Sequence, residues 1–367
     1  MMKSTVLVCV ASVGLAAALL AGPLTPPAGP IASTYKTLAE VEPRKVINSD
    51  NTPGDANAMA IISSPGSYML AGDLICTGGK SGIRVETDNV TIDLQGFSID
   101  GKAGTNTFGS GVLTSTSRRN IAIRNGSVHN FGAYGITGSM PQSQFENLSI
   151  NDNKLGQLEP FNASNSIARN LRIHATSGEM NLSLGKNAIV EDCTVEGGFS
   201  GIFVGSGVVA RCTVSDVAGI GIRSGGGVVT QCSVSDITGT SSFNNGGIVV
   251  DGGTLVERCT MSNCTATGVY LGSDCRLVDS TFRGCAKGVF SSQFQGGHST
   301  IERNTFTSCT IAVKLETPGH IIVSNRFSQN TTNINAVAGS TLGEELNMVG
   351  GGTLTAANSH ALANVVY

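Results

Sequence analysis

A six-residue phrase recurs seven times between Val190 and Phe327, and so short a repeat leaves few folds open. Each copy runs apolar, two polar, then Cys, Asn or Ser, a hydroxyl-rich position, and apolar again. The copies are Val190–Val195, Val209–Val214, Val229–Val234, Val256–Met261, Leu277–Phe282, Ile301–Phe306 and Ile322–Phe327. Successive starts lie 19, 20, 27, 21, 24 and 21 residues apart. A second phrase follows the first: Gly201-Ile202, Gly221-Ile222, Gly247-Ile248, Gly268-Val269, Gly288-Val289, and Ala312-Val313 as a worn copy. A unit this small cannot bury its own apolar face, so neighbouring units must stack into a solenoid.

Columns through the repeat assign inside and outside. The residue after each Gly is Ile or Val throughout, whereas the next one scatters: Phe203, Arg223, Val249, Tyr270, Phe290, with Lys314 in the worn copy. A period of two therefore puts the first and third positions inside and the second outside. A hydroxyl column at Thr194, Thr213, Ser233, Thr260, Thr281 and Thr305 is expected outside as well. Three short strands per turn, joined by corners, give parallel sheets buried on their inner face. Before the regular array, Asn125, Asn147 and Asn170 recur at steps of 22 and 23 residues. Each is followed three residues later by Val128, Ile150 or Ile173, whereas in the later turns the apolar residue comes two after the Cys or Asn, so the early corners differ from the late ones by one residue.

The Cys/Asn corner column, the Gly-Ile-x-Val strand and the turn length resemble right-handed parallel β-helix repeat proteins of the pectate-lyase-like superfamily, over about residues 82 to 330. The resemblance implies an all-β, three-sheet, right-handed parallel β-helix, with inward Asn ladders along a corner; Asn125, Asn147, Asn170, Asn304 and Asn325 are similar. It does not imply a reaction, since fold does not fix function. The organisation expected is a signal peptide at 1–22, a Pro-rich linker at 23–33, an N-terminal cap and first strands at 34–81, the β-helix at 82–330, and a C-terminal tail or cap at 331–367. Thr34 to Val46 is read as a short capping helix, because a solenoid must cover its first turn.

Bulk properties agree with that class. Charged residues make up 13% of the chain, Trp is absent and there are 48 Gly, which suits a turn-rich β protein rather than a helical bundle. The formal charge of −3 points to neither nucleic acid nor an anionic membrane as partner. Lys3 and the apolar run Val6 to Leu20 read as an export signal, the run being short for a retained bilayer anchor. The expected location is periplasmic, secreted or cell surface, without an integral membrane segment after cleavage.

Cysteine usage follows from export. Nine cysteines remain once Cys9 is removed, an odd number that excludes complete internal pairing. Cys193, Cys212, Cys232 and Cys259 share one repeat position; Cys264, Cys285 and Cys309 share another. A reduced interior stack is favoured over disulfides, although spacing alone does not forbid bridging. No Cys-x-x-Cys pair supports a metal site, and no cofactor is expected.

Two places could carry function. The outer column Phe203, Arg223, Tyr270, Phe290 and Lys314, with Asp251 and Glu316 two residues beyond it in their turns, offers aromatic faces for sugar rings and cations for uronate carboxylates. Alternatively that apolar stripe is covered by the tail or by a partner chain, and homo-oligomerisation stays open. The second place is a row at equivalent positions of four turns, His129, Asn151, His174 and Glu196. At ~4.8 Å per turn, His129 and His174 lie ~10 Å apart, close enough to a carboxylate for acid–base work. No calcium-binding carboxylate cluster, polygalacturonase motif, nucleophile elbow or phosphate loop is present. The expected function is binding of a polysaccharide or other surface ligand without evident catalysis; the alternative is a lyase or hydrolase of an acidic glycan.

Overall fold

A computed structural model describes residues 43–102, 108–176, 180–239, 245–294, 296–347 and 362–367. Residues from Arg44 onward form one unit, a parallel coil with three strands per turn. One turn shows the plan: Ala188–Glu191 on a first face, Thr194–Gly197 on a second, Ser200–Val204 on a third. Each strand then pairs in parallel with its equivalent one turn on, as Ile202 does with Ile222 and Ile222 with Ile248. The third face is a sheet of 13 strands, from Ala58–Ile62 to Thr332–Ala336. The first and second faces join into one sheet because Ile121–His129 and Gln144–Asn151 bend across the corner between them. No helix among the described residues is long and apolar enough to cross a membrane.

Corners are made by single residues in the left-handed region. Between first and second faces these are Asn125, Asn147, Asn170, Asp192, Arg211, Gln231, Arg258, Asp279, Arg303 and Ser324, with φ between 51° and 60°. Asn and Asp adopt this conformation at little cost, whereas Arg and Gln do so only where the surrounding rungs impose it. The following residue then points inward. That inward column reads Leu148, Leu171, Cys193, Cys212, Cys232, Cys259, Ser280, Asn304 and Asn325, all buried.

This separates two sets of asparagines that the sequence placed in one ladder. Asn125, Asn147 and Asn170 occupy the left-handed position, and their amides link rung to rung on the outside, Asn147 donating to Asn125 (3.1 Å) and Asn170 to Asn147 (2.7 Å). Asn304 and Asn325 occupy the interior position one residue later. There the main-chain N–H of each rung donates to the next side chain, Ser280 to Asn304 Oδ1 and Asn304 to Asn325 Oδ1, both 2.9 Å. The one-residue difference between early and late corners is this change of column, not a change of corner.

The Gly phrase has a steric cause. A Cβ on Gly268 would lie 2.7 Å from the carbonyl oxygen of Gly288 and 2.7 Å from the Phe282 ring; one on Gly201 would meet Gly221 O at 2.3 Å and Val214 at 2.7 Å. The position faces both the next turn's backbone and the second face's core residues, so no side chain fits. Period two holds on either side of it: Ile202 and Val204 are buried, and the hydroxyl column from Thr194 to Thr305 runs in register along the outside. The second face contributes Phe282, Phe306 and Phe327 to the core as a stack, with centroids 4.6 and 5.3 Å apart.

All nine described cysteines are unpaired and buried. Their thiols donate to main-chain carbonyls, Cys193 to Glu191 O (3.2 Å) and Cys212, Cys232 and Cys259 to Ala210, Thr230 and Glu257 O at 3.3 Å. This is the reduced interior stack. The expected capping helix needs correcting at its end: Lys45–Val46 is a strand paired with Tyr68–Met69, Pro43 having closed off any helical continuation, while residues 34–42 lie outside the described residues. The export signal and Pro-rich linker lie outside them too. The tail adds strands at its described ends, Thr341–Leu342, Glu345–Asn347 and Asn364–Val366.

Candidate functional site

On the third face, the outer column drawn from sequence is a physical row. Phe203, Arg223, Val249, Tyr270, Phe290 and Lys314 are partners in consecutive strands. Burial divides it. Val249, Tyr270 and Phe290 are 1%, 3% and 8% exposed and form an apolar cluster separate from the main core. The Tyr270 ring meets Phe290 edge-on with centroids 5.5 Å apart, and its hydroxyl is 2.6 Å from Ser292 Oγ. Neither ring offers a free face. Lys287 and Lys314 hold their ammonium groups 4.8 and 5.4 Å from the Phe290 centroid, and Lys314 pairs with Glu316 at 2.8 Å. That ammonium holds the Glu316 carboxyl below its ordinary value, while burial and then the like charge of Lys314 pull Lys287 down. Lys287 escaped the sequence reading because it stands before the Gly, in an outer column that elsewhere carries Ser, Ile, Gly and Thr.

The other end of the row is open. Phe203 and Arg223 are half-buried, and with Met180, Ser200, Ile202 and Ile220 they line a recess of about 140 Å³. The Arg223 guanidinium sits 6.0 Å from the Phe203 centroid and 3.6 Å from Asp251 Oδ2. A half-open aromatic face thus adjoins a cation whose own partner is a loose, water-exposed carboxylate that a ligand anion can replace.

The second candidate is on a different face. Asp100, His129, Asn151, His174 and Glu196 are partners in successive strands of the second face. His174 Nδ1 lies 3.7 Å from Glu196 Oε2, and both line a recess of about 300 Å³ with Asn151, Arg172, Ile173 and Thr194. His129 is two rungs away and has its own partners: Nδ1 is 3.4 Å from Asp100 Oδ1, and the Asn130 amide reaches both atoms, at 2.8 and 2.9 Å. The structure therefore brings His174 and Glu196 together and leaves His129 outside their recess. Asp100 and Arg172 are the members sequence missed. Asp100 opens an irregular stretch before a long insertion, and Arg172 falls in the hydroxyl column.

Two family models match parts of the chain: a right handed beta helix region over residues 110–254, and a periplasmic copper-binding protein family, NosD, over residues 208–351. A search of curated proteins finds no match. Among solved structures, the chain is similar to the Dettilon tailspike protein at 15% identity and a TM-score of 0.47, covering 77% of this chain and 60% of that one. It is also similar to pectate lyase Pel9A (16% identity, TM-score 0.35, 81% and 77% covered). A third likeness is to the A-module of the Azotobacter vinelandii mannuronan C-5 epimerase AlgE6 (12%, TM-score 0.33, 81% and 87%). Parallel pairing in every turn, the interior ladders and the family matches make this chain a right-handed parallel β-helix repeat protein.

Proposed function

We propose that the chain is an exported, non-catalytic binding protein whose third face takes a uronate-containing polysaccharide at Phe203 and Arg223. The observation that carries this is the recess where an accessible aromatic ring and a guanidinium lie side by side. The ring packs on a sugar face, and the guanidinium pairs with a carboxylate, displacing Asp251. Tyr270 and Phe290 support the strand beneath rather than contact sugar, and the Lys287–Lys314 pair extends positive charge along the same face. The periplasmic description of the NosD family supports an exported location. Copper, which that description also names, does not fit: among the described residues no three of His, Cys, Asp and Glu converge, and the cysteine thiols are turned to main-chain carbonyls.

Calorimetric titration with uronate oligosaccharides tests the reading. Phe203→Ala and Arg223→Gln should each weaken binding about tenfold, equivalent to ~1.4 kcal/mol, and a neutral oligosaccharide of the same length should bind like the Arg223→Gln variant. Equal affinity across all of these removes the site. A second reading, a lyase or hydrolase of the same polymers, is favoured by the His174–Glu196 pair beside Arg172 in an open recess. Turnover abolished by both His174→Ala and Glu196→Gln would replace the binding reading with that one.

A further inference from the structure

The coil does not end the way it repeats. On the first face Ile321–Val323 is followed directly by Thr341–Leu342, with Ile321 opposite Thr341. On the second face the same step leads from Arg326–Ser328 to Glu345–Asn347, yet these are not neighbours. Asn364–Val366 lies between them, parallel to both, with Arg326 opposite Val365 and Glu345 opposite Asn364. One rung on the first face becomes two on the second. The strand that fills the gap begins 17 residues after the strand it displaces.

Both walls of the gap are shaped for it. Asn364, fully buried, is the next rung of the interior ladder: Asn325 donates its main-chain N–H (3.0 Å) and its amide (3.2 Å) to Asn364 Oδ1. Asn364 Nδ2 donates in turn to Ile322 O (3.0 Å) and Gly343 O (3.2 Å). By sequence period that rung would belong to Glu344, whose carboxylate could not donate to those carbonyls. Main-chain bonds complete the fit, Val365 N–H to Asn325 O and Tyr367 N–H to Phe327 O at 2.8 Å, and Asn364 N–H to Glu344 O at 2.7 Å. At the mouth, a Cβ on Gly343 would lie 2.1 Å from Leu362 O, so glycine there admits the strand.

We infer that the gap between Arg326–Ser328 and Glu345–Asn347 is a strand-acceptor slot, specific for an extended segment with Asn at the ladder position, and that it takes Leu362–Tyr367 from a second copy of the chain as well as its own. Among the described residues, the hydrogen bonds that hold the strand run between residues 322–344 and residues 362–367, so an exchanged strand can make the same bonds as the resident one. The covalent connection gives the resident strand an effective concentration against which a second copy competes. Exchange of identical elements is then decided by protein concentration and by how often the strand leaves, and its product is a dimer joined through two crossed strands. The inference stands apart from ligand binding on the third face.

Cysteine pairing across the slot tests it in the full chain. Arg326 and Val365 are partners on the outer side, where parallel neighbours stand ~4.8 Å apart, within disulfide reach. A double Arg326→Cys, Val365→Cys chain should oxidise to an internal cross-link; failure to do so overturns the slot. Chains carrying only one of the two substitutions, mixed at high concentration, should yield a disulfide-linked dimer of one of each. Asn364→Ala in the Val365→Cys chain should reduce that yield at least several-fold. Internal cross-linking without any cross-linking between copies overturns the exchange.

Discussion

At the scale of single residues, His320 shows how an interior ladder treats a titratable group. It is fully buried; the Ser299 main-chain N–H donates to Nδ1 (3.3 Å), and Nε2 lies 2.9 Å from Thr317 Oγ1. Nδ1 therefore carries a lone pair and the ring is neutral. Burial lowers its pKa from the ordinary 6.5, with His298 adding a smaller like-charge effect. The unfolded chain binds a proton there at a higher pH than the folded one does. The stabilisation is thus complete above about pH 6.5 and is lost as pH falls toward the lowered value. Denaturant melts between about pH 7 and pH 5 should show His320→Asn, which keeps an acceptor for Ser299, losing less stability than the parent; equal slopes would show that His320 does not titrate differently on folding. Gly268 gives a steric counterpart: Gly268→Ala should destabilise by about 1–3 kcal/mol through overpacking, while Gly72→Ala, with nothing within 4 Å of the added carbon, should change little. Sequence made the Gly column legible because a clash repeated every turn leaves a repeated letter. It did not distinguish Asn147 from Asn304, since the left-handed corner and the inward ladder favour the same side chain for different reasons, one conformational and one through hydrogen bonding.

Strands and ladders were more readable than the sites built on them. Alternation fixed which side of Ser200–Val204 faces inward, and the partners of Phe203 and Arg223 follow from the repeat alone. What alternation cannot express is which outward residues are then covered. Tyr270 is an outer residue by period and a buried one by accessibility, so the row divides at a point no pattern marks. His174 and Glu196 were found together because equivalent positions in adjacent turns must be neighbours, while Arg172 was hidden by belonging to a column of hydroxyls. The cysteine ladder illustrates the converse, a conspicuous feature with a structural role. Each thiol donates to a carbonyl within the buried interior, and burial pushes Cys76 up to about 12 and raises Cys275. All nine described cysteines are buried and so out of reach of a reagent in solution; they should resist iodoacetamide in the native protein and all react once it is unfolded, as counted by intact mass. Modification of any of them at the native rate of an exposed thiol would mean that the ladder opens without unfolding.

For the whole molecule, stability in a stacked coil is approximately a sum of turn and interface terms, because each turn touches only its neighbours. Loss at one end should therefore stay at that end. Asn364 joins the last rungs through four side-chain hydrogen bonds, two accepted and two donated, and Gly343 leaves room for the strand that carries it. Asn364→Ala removes the ladder's final rung and leaves the buried Ile322 carbonyl and the half-buried Gly343 carbonyl without that donor, at about 1–3 kcal/mol for such a loss. Hydrogen exchange followed by mass spectrometry should then show faster exchange in peptides covering about residues 321–347. Peptides from Val190 to Phe282 should be unchanged. A substitution in mid-coil gives the contrast: Gly268→Ala is flanked by rungs on both sides, so its opening must break two interfaces and should spread into both. If Asn364→Ala instead accelerated exchange uniformly along the coil, the turns would be folding as one cooperative block. The short period that defines the sequence would then no longer be the unit of stability.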